Sequence, residues 1–472
     1  MIFNSIDFIL FFPVVLILYW ISGHKLQNRL LLVASLFFYG FWDWRFLGLL
    51  VLSSLVDFVA GLGIEKFADN PKKKKAFLIF SLISNLSVLG FFKYFNFFIE
   101  NAVQFLSALG LNPDIHTLQI ILPLGISFYT FQTLSYTIDV YRGELKPVRD
   151  IFDFALYVSF FPQLVAGPIE RATRLLPQIQ LPRQWNPVQF REGAFLILLG
   201  YFKKVFVADN IGDLVNSVFG MDDPSGGKIT IALLAFFFQI YCDFSGYSDI
   251  ARGLSKWLGF ELMRNFNLPI FAVNIIDLYK RWHISLMSWL RDYIYLPLGG
   301  NRVSATRQHI NNLFIFFISG LWHGASWNFI IWGLYNGILT SMYRILSPYF
   351  PKFGYDHIPA IYWTKYAFKA TLTFCAFAFS GIWFRSESFE QSKLIFHNLF
   401  FEFGAWDNSL FQKLIRLTAL LILVEISQFK SNDEFSIFKW KLPFRVGLYV
   451  ALFYSILILG NFNKNEFIYF VF

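Results

Sequence analysis

Residues 312–342 read NLFIFFISGLWHGASWNFIIWGLYNGILTSM. The stretch contains no Asp, Glu, Lys or Arg. A membrane-crossing helix needs ~20 consecutive, predominantly apolar residues, and this run is long enough to supply them. Its single ionisable side chain is His323. An ionisable group inside such a run is costly to bury and is a functional candidate by default. The alternative is a neutral imidazole that serves as packing glue between helices.

The rest of the chain has the same character. Of its 472 residues 56% are hydrophobic and only 15% charged, against about 25% charged in an average soluble domain. Mean hydropathy is +0.50. Phe occupies 62 positions, with 22 Tyr and 14 Trp, an excess of rings suited to lipid-facing and interfacial surfaces. Further apolar runs occupy 8–21, 30–42, 46–64, 76–92, 117–134, 152–166, 193–208, 229–242, 366–384, 414–425 and 446–461. These are long runs rather than the ~10-residue alternating segments of a β-barrel. The sequence therefore predicts an all-α polytopic membrane protein with roughly ten to twelve membrane segments. Several runs are short enough to be re-entrant or packed wholly against other helices. No internal repeat or low-complexity linker divides the chain, so a single integral-membrane domain over 1–472 is expected.

Forty Lys and Arg against 31 Asp and Glu give a formal charge of +9. In a membrane protein such an excess marks cytoplasmic loops rather than a nucleic-acid partner. Lys72 to Lys75 then act as a topology anchor. The basic stretches 24–29 and 65–75 fall on one side if the first three apolar runs all cross, which places that side in the cytoplasm and Met1 outside. The N-terminus carries no basic n-region, so the first apolar run is expected to remain in the mature chain. Cys242 and Cys375 stand in apolar segments without metal-ligand spacing, and no metal is expected.

Four stretches are candidates for chemistry. Around His323, Ser319 and Ser326 stand at i−4 and i+3, one face of a continuous helix, where they would set the imidazole tautomer. Gly320 and Gly324 have the spacing that lets a neighbouring helix approach. His283 lies in a second stretch, Tyr279-Lys280-Arg281-Trp282-His283-Ile284-Ser285-Leu286, within the unusually polar segment 256–311. Pro297 ends any helix there, and Gly299-Gly300 turn the chain. Arg281, Arg291, Arg302 and Arg307 cluster nearby, either to hold a phosphorylated carrier or as a basic cytoplasmic loop. Asp243-Phe244-Ser245-Gly246-Tyr247-Ser248-Asp249 reads first as a helix break with Ser and Asp capping the next segment, and second as an ion or proton site. Residues 127–144, rich in aromatic and hydroxyl side chains, suit a polar path or an interfacial belt.

Taken in order, these blocks resemble the membrane-bound O-acyltransferase superfamily, in particular the bacterial branch that O-acetylates exported polysaccharides. The resemblance runs from Met1-Ile2-Phe3-Asn4-Ser5 through Leu124-Gly125-Ile126-Ser127-Phe128, Phe161-Pro162-Gln163-Leu164-Val165-Ala166-Gly167-Pro168 and the 243–249 block. It is densest at 281–286, 293–301 and 320–325. It implies helices around a central funnel or tunnel, with His323 matching the catalytic histidine and His283 the second active-site position. It also implies transfer of an acetyl group from a cytoplasmic thioester to a hydroxyl on the far side. Acetyl-coenzyme A is the expected donor, and no cofactor is permanently bound. Lys203, Lys204, Lys280, Arg281, Arg291 and Arg302 are candidates to grip the donor phosphates. The acceptor is a polysaccharide or an extracytoplasmic SGNH-type transferase, and the expected location is the bacterial cytoplasmic membrane. Relatives often carry another histidine after the catalytic one; here the region reads Trp332-Gly333-Leu334-Tyr335-Asn336-Gly337, with Asn336 left as a hydrogen-bonding group. The rival reading is a transporter or flippase with an intramembrane His/Asp proton relay, which predicts inverted repeats that the sequence does not show. A non-catalytic scaffold of an export complex is a third.

Overall fold

The computed structural model describes residues 1–111, 117–349, 359–462 and 467–468. Among these the regular structure is entirely helical. Among the described residues five helical stretches are long and apolar enough to cross a membrane: His24–Lys66, Pro71–Ala108, Gly226–Trp257, Pro359–Arg385 and Leu442–Leu459, with a shorter apolar helix at Ile6–Trp20. Alternating internal packing of helices with broad apolar outer faces is the solution a bilayer imposes, because helices satisfy their own backbone. The chain folds as two compact units, residues 1–195 with 251–263 and residues 196–250 with 264–472.

The first unit gathers its polar groups around buried carboxylates and a guanidinium. Asp57, fully buried, accepts hydrogen bonds from Ser81, from Asn85 (2.8 Å) and from Thr137 (2.8 Å). Buried charge is tolerable only with such partners. This explains the hydroxyl-rich 127–144 stretch, which forms the Ile126–Arg142 helix and is buried along almost its whole length. It is therefore not an interfacial belt. The polar 170–192 stretch is tied down by Arg183, which donates to the Tyr19 hydroxyl (2.5 Å), Asn28 Oδ1 (2.6 Å) and the Ile179 carbonyl (3.0 Å). Glu170 in the same stretch is buried and accepts from the Met263 backbone. Burial pushes its carboxyl up to about 7.

The second unit contains both candidate histidines. The apolar run 312–342 is not one helix. It forms Ala305–His323 and Trp327–Leu346, joined by a break at Gly324. Gly324 is extended, and Ser326 starts the second helix by accepting from the Phe329 amide, as an N-cap serine does. Ser326 thus caps the next helix instead of sharing a helical face with His323. The two helices cross at glycine. A Cβ on Gly320 would fall 2.3 Å from the Phe329 carbonyl oxygen, and one on Gly333 would fall 2.3 Å from that of Phe316. Asn312 adds hydrogen bonds to the Gly337 carbonyl (3.0 Å) and Ser341 (3.1 Å). The 243–249 block also differs from expectation, because the Gly226–Trp257 helix runs through it unbroken.

Gly333→Ala is expected to destabilise the protein by about 1–3 kcal/mol through overpacking against backbone. Gly90→Ala, where the added Cβ meets nothing within 4 Å, should be neutral or gain up to about 1 kcal/mol from helix propensity. Thermal unfolding in detergent compares them, and equal midpoints would contradict the glycine crossing.

Candidate functional site

His283 sits where the polar segment 256–311 turns. Short helices at Ile275–Arg281 and Ile284–Leu290 flank it. Its φ is +44°, a left-handed conformation that is uncommon outside glycine and marks a constrained position. Asn265 supports it: the Ile284 amide donates to the Asn265 carbonyl (2.9 Å), and the Asn265 side chain donates to Ser248 (3.1 Å). The ring is 2% exposed and packs edge-on against Phe244, with centroids 4.6 Å apart. Burial pushes its basicity down to about 3, so the imidazole is neutral at working pH. It is not a cation there.

His323 ends its helix at the hairpin break, 5% exposed. Trp322 touches both histidines: its ring lies 5.6 Å from His283 and 5.0 Å from His323, edge-on to each. One indole therefore sets the relative positions of the two imidazoles. Trp332 and Phe384 close around His323 at 4.9 and 5.1 Å. Trp332 is fixed in turn by donation to Ser380 (3.1 Å).

Two cavities are lined by this hairpin, and His323 itself lines the first. The first is small, about 20 Å³, and walled by His323, Trp282, Trp332, Phe236, Phe377 and Phe384, with Gly381 and Ser380 in its lining. A single water needs ~10–15 Å³ on this measure, so the space suits a methyl-sized group. The second measures about 610 Å³, and charged and polar side chains share its wall with apolar ones. The hairpin break, Gly324 to Ser326, forms part of its wall together with Phe329. Phe329 packs edge-on against Phe384 at 5.0 Å, one of these rings lining each cavity.

The predicted cations divide into two groups. Lys203 and Lys204 stand on a π-helical turn, Phe202–Ala208. They are buried and paired: Lys203 with Asp249 at 2.8 Å, and Lys204 with Asp209 at 2.8 Å and Asp243 at 2.6 Å. The 243–249 carboxylates are thus the counter-ions of these lysines, a role that sequence reading missed because the partners lie about forty residues apart. Arg281 is paired with Asp277 (3.0 Å) and Arg291 with Asp292 (2.7 Å). Lys280 and Arg302 are exposed and make no ion pair among the described residues. Asn336, completely buried, donates to the Trp332 carbonyl in its own helix (2.8 Å).

The sequence profile described as "MBOAT, membrane-bound O-acyltransferase family" matches residues 148–384, a span that contains both histidines. The "Probable alginate O-acetylase AlgI" of Pseudomonas aeruginosa is 38% identical over 410 residues, covering 87% of this chain and 76% of the relative. The "Peptidoglycan O-acetyltransferase" of Helicobacter pylori is 37% identical over 428 residues, covering 83% of this chain and 78% of the relative. The "Teichoic acid D-alanyltransferase" of Bacillus subtilis is 30% identical over 273 residues, covering 54% and 67%. With half the chain inside the family profile and relatives this close along most of its length, the chain belongs to the membrane-bound O-acyltransferase family.

Proposed function

We propose that this enzyme moves an acetyl group from cytoplasmic acetyl-coenzyme A across the membrane to a hydroxyl, for O-acetylation of an exported or cell-surface polysaccharide. The observation that carries the reading is His323 at a helix break, in the wall of a methyl-sized aromatic cavity, with the next three residues, Gly324 to Ser326, in the wall of a larger one. Relatives that act on alginate and peptidoglycan by name support a polymer as final acceptor. The hydroxyl comes from the polymer itself or from an SGNH-type partner outside the membrane. Family membership sets aside the transporter reading.

The chemistry follows from the residues. A hydroxyl is a weak nucleophile until a base accepts its proton, and a neutral imidazole suits that task. His323 takes the proton as the hydroxyl oxygen attacks the thioester carbonyl. The C–O bond forms, the C–S bond breaks, and the departing thiolate receives the proton from His323. His283, neutral and rigidly held, donates a hydrogen bond to the carbonyl oxygen as negative charge develops there. Trp322 keeps the two rings in register.

Orientation supports the direction of transfer. Lys280, Arg281, Arg291, Arg302 and Arg307 precede the Ala305–His323 helix, and such a basic cluster belongs in the cytoplasm. Nineteen helical residues rise about 28 Å, nearly the hydrocarbon thickness of a bilayer. His323 and the polar cavity then lie towards the far side, in a bacterial cytoplasmic membrane with Met1 outside. Lys280 and Arg302 grip the donor phosphates from the basic loop, with Arg281 and Arg291 beside them. Lys203 and Lys204, neutralised by carboxylates, hold the fold.

His323→Ala should lower ester-linked acetate on the surface polymer by at least ~10²-fold at equal protein level; unchanged acetate would remove the catalytic assignment. Lys203→Met should cost about 3–5 kcal/mol by stripping a buried carboxylate of its cation, with folded protein regained in Lys203→Met/Asp249→Leu. Arg302→Ala should raise the donor KM and leave folding intact. A well-folded Lys203→Met enzyme with a raised donor KM would return that lysine to the donor site.

A further inference from the structure

The polar cavity of about 610 Å³ has a charge pattern that specifies its occupant. Its cations are Lys204 and Arg385, and its carboxylates Asp209, Asp243 and Glu387. Lys204 is shared between Asp209 and Asp243. Arg385 donates to Asn216 Oδ1 (2.9 Å) and has Glu387 at 3.8 Å. Asp243 Oδ2 accepts from the Ile468 amide (2.7 Å). What remains in the wall is acceptor capacity. Asp209, only 4% exposed, has its Oδ2 without a hydrogen-bond partner among the described residues, and so has Gln239 Oε1.

A buried acceptor left without a donor costs about 1–3 kcal/mol, and such groups in a native fold call for an explanation. A ligand rich in hydroxyl groups supplies the missing donors. A phosphate or carboxylate would instead add negative charge opposite Asp209 and Asp243, with both cations already engaged. That argues against this cavity as the seat of the phosphorylated donor. Its volume falls within the ~300–1,000 Å³ range of small-molecule sites, enough for one or two sugar rings. Phe329 offers an apolar face for the C–H side of such a ring, and Gly324 to Ser326, the residues that follow His323 in the chain, line the same cavity.

We propose that this cavity binds a neutral, polyhydroxylated acceptor, a sugar unit whose neighbouring hydroxyls donate to Asp209 Oδ2 and Gln239 Oε1 while one hydroxyl is presented to His323. Its catalytic role rests on the acetyl-transfer reading, but binding is measurable apart from transfer. Selection is for uncharged sugar units over uronates.

The test uses the full-length protein in nanodiscs, carrying Ala325→Cys in the cavity wall and Cys375→Ser to remove the exposed native thiol. Cellobiose at saturating concentration should slow maleimide labelling of Ala325→Cys by about threefold or more by mass action. Digalacturonate and coenzyme A should not slow it. Adding Gln239→Leu should abolish the protection and leave the sugar-free labelling rate unchanged, which shows that the cavity is still formed. Protection by coenzyme A or digalacturonate in place of cellobiose would overturn the assignment. So would undiminished protection in Gln239→Leu. No protection by cellobiose, in protein that still transfers acetate to a partner's hydroxyl, would overturn the sugar site and leave the acetyl-transfer reading standing. Loss of acetyl transfer with cellobiose protection intact would do the reverse.

Discussion

The close crossing of two helices at Gly320 and Gly333 is the constraint on which the site depends. Without side chains at these positions the backbones meet, as small residues allow where lipid supplies no hydrophobic drive between helices. The crossing fixes where the first helix must stop, and it stops at His323. The break then opens one helix end next to a polar cavity while Trp332, from the returning helix, seals the imidazole on the other side.

Charge burial is the second organising feature. The two lysines of the 202–208 turn meet three carboxylates inside the second unit. Pairs of this kind are weak evidence of net stability, yet breaking one is strongly destabilising. They therefore fix a unique arrangement near the polar cavity without presenting bare positive charge to it. Two side-chain oxygens of its wall, Asp209 Oδ2 and Gln239 Oε1, stay without a donor among the described residues. Lys280 and Arg302 stay exposed and unpaired by carboxylates among the described residues, unlike the two lysines of the 202–208 turn.

Much of this was legible in the sequence. Long apolar runs gave the helical membrane class, and a single ionisable residue in the longest of them marked His323. The turn at Gly299-Gly300 also stands as read: both residues have positive φ. The hairpin break was hidden because hydropathy is continuous across 324–326, although the Ser326 cap was present as a local signal. The 243–249 block looked like a break because its aspartates had no visible partners; the neutralising lysines sit on a turn remote in sequence. The 127–144 stretch was ambiguous for the same reason, since Asp57, which Thr137 serves, lies eighty residues upstream. Periodicity reports what one helix does, and these features are made by pairs.

The central claim is that the imidazole at 323 removes the proton from the acceptor hydroxyl. Chemical rescue tests it most directly: purified His323→Gly, shown to be folded, is assayed for acetyl transfer with imidazole added to the buffer. The account predicts negligible transfer without imidazole and a rate that rises with the concentration of its neutral form. Folded protein that imidazole fails to reactivate, or that transfers acetate at the wild-type rate without it, would contradict the claim.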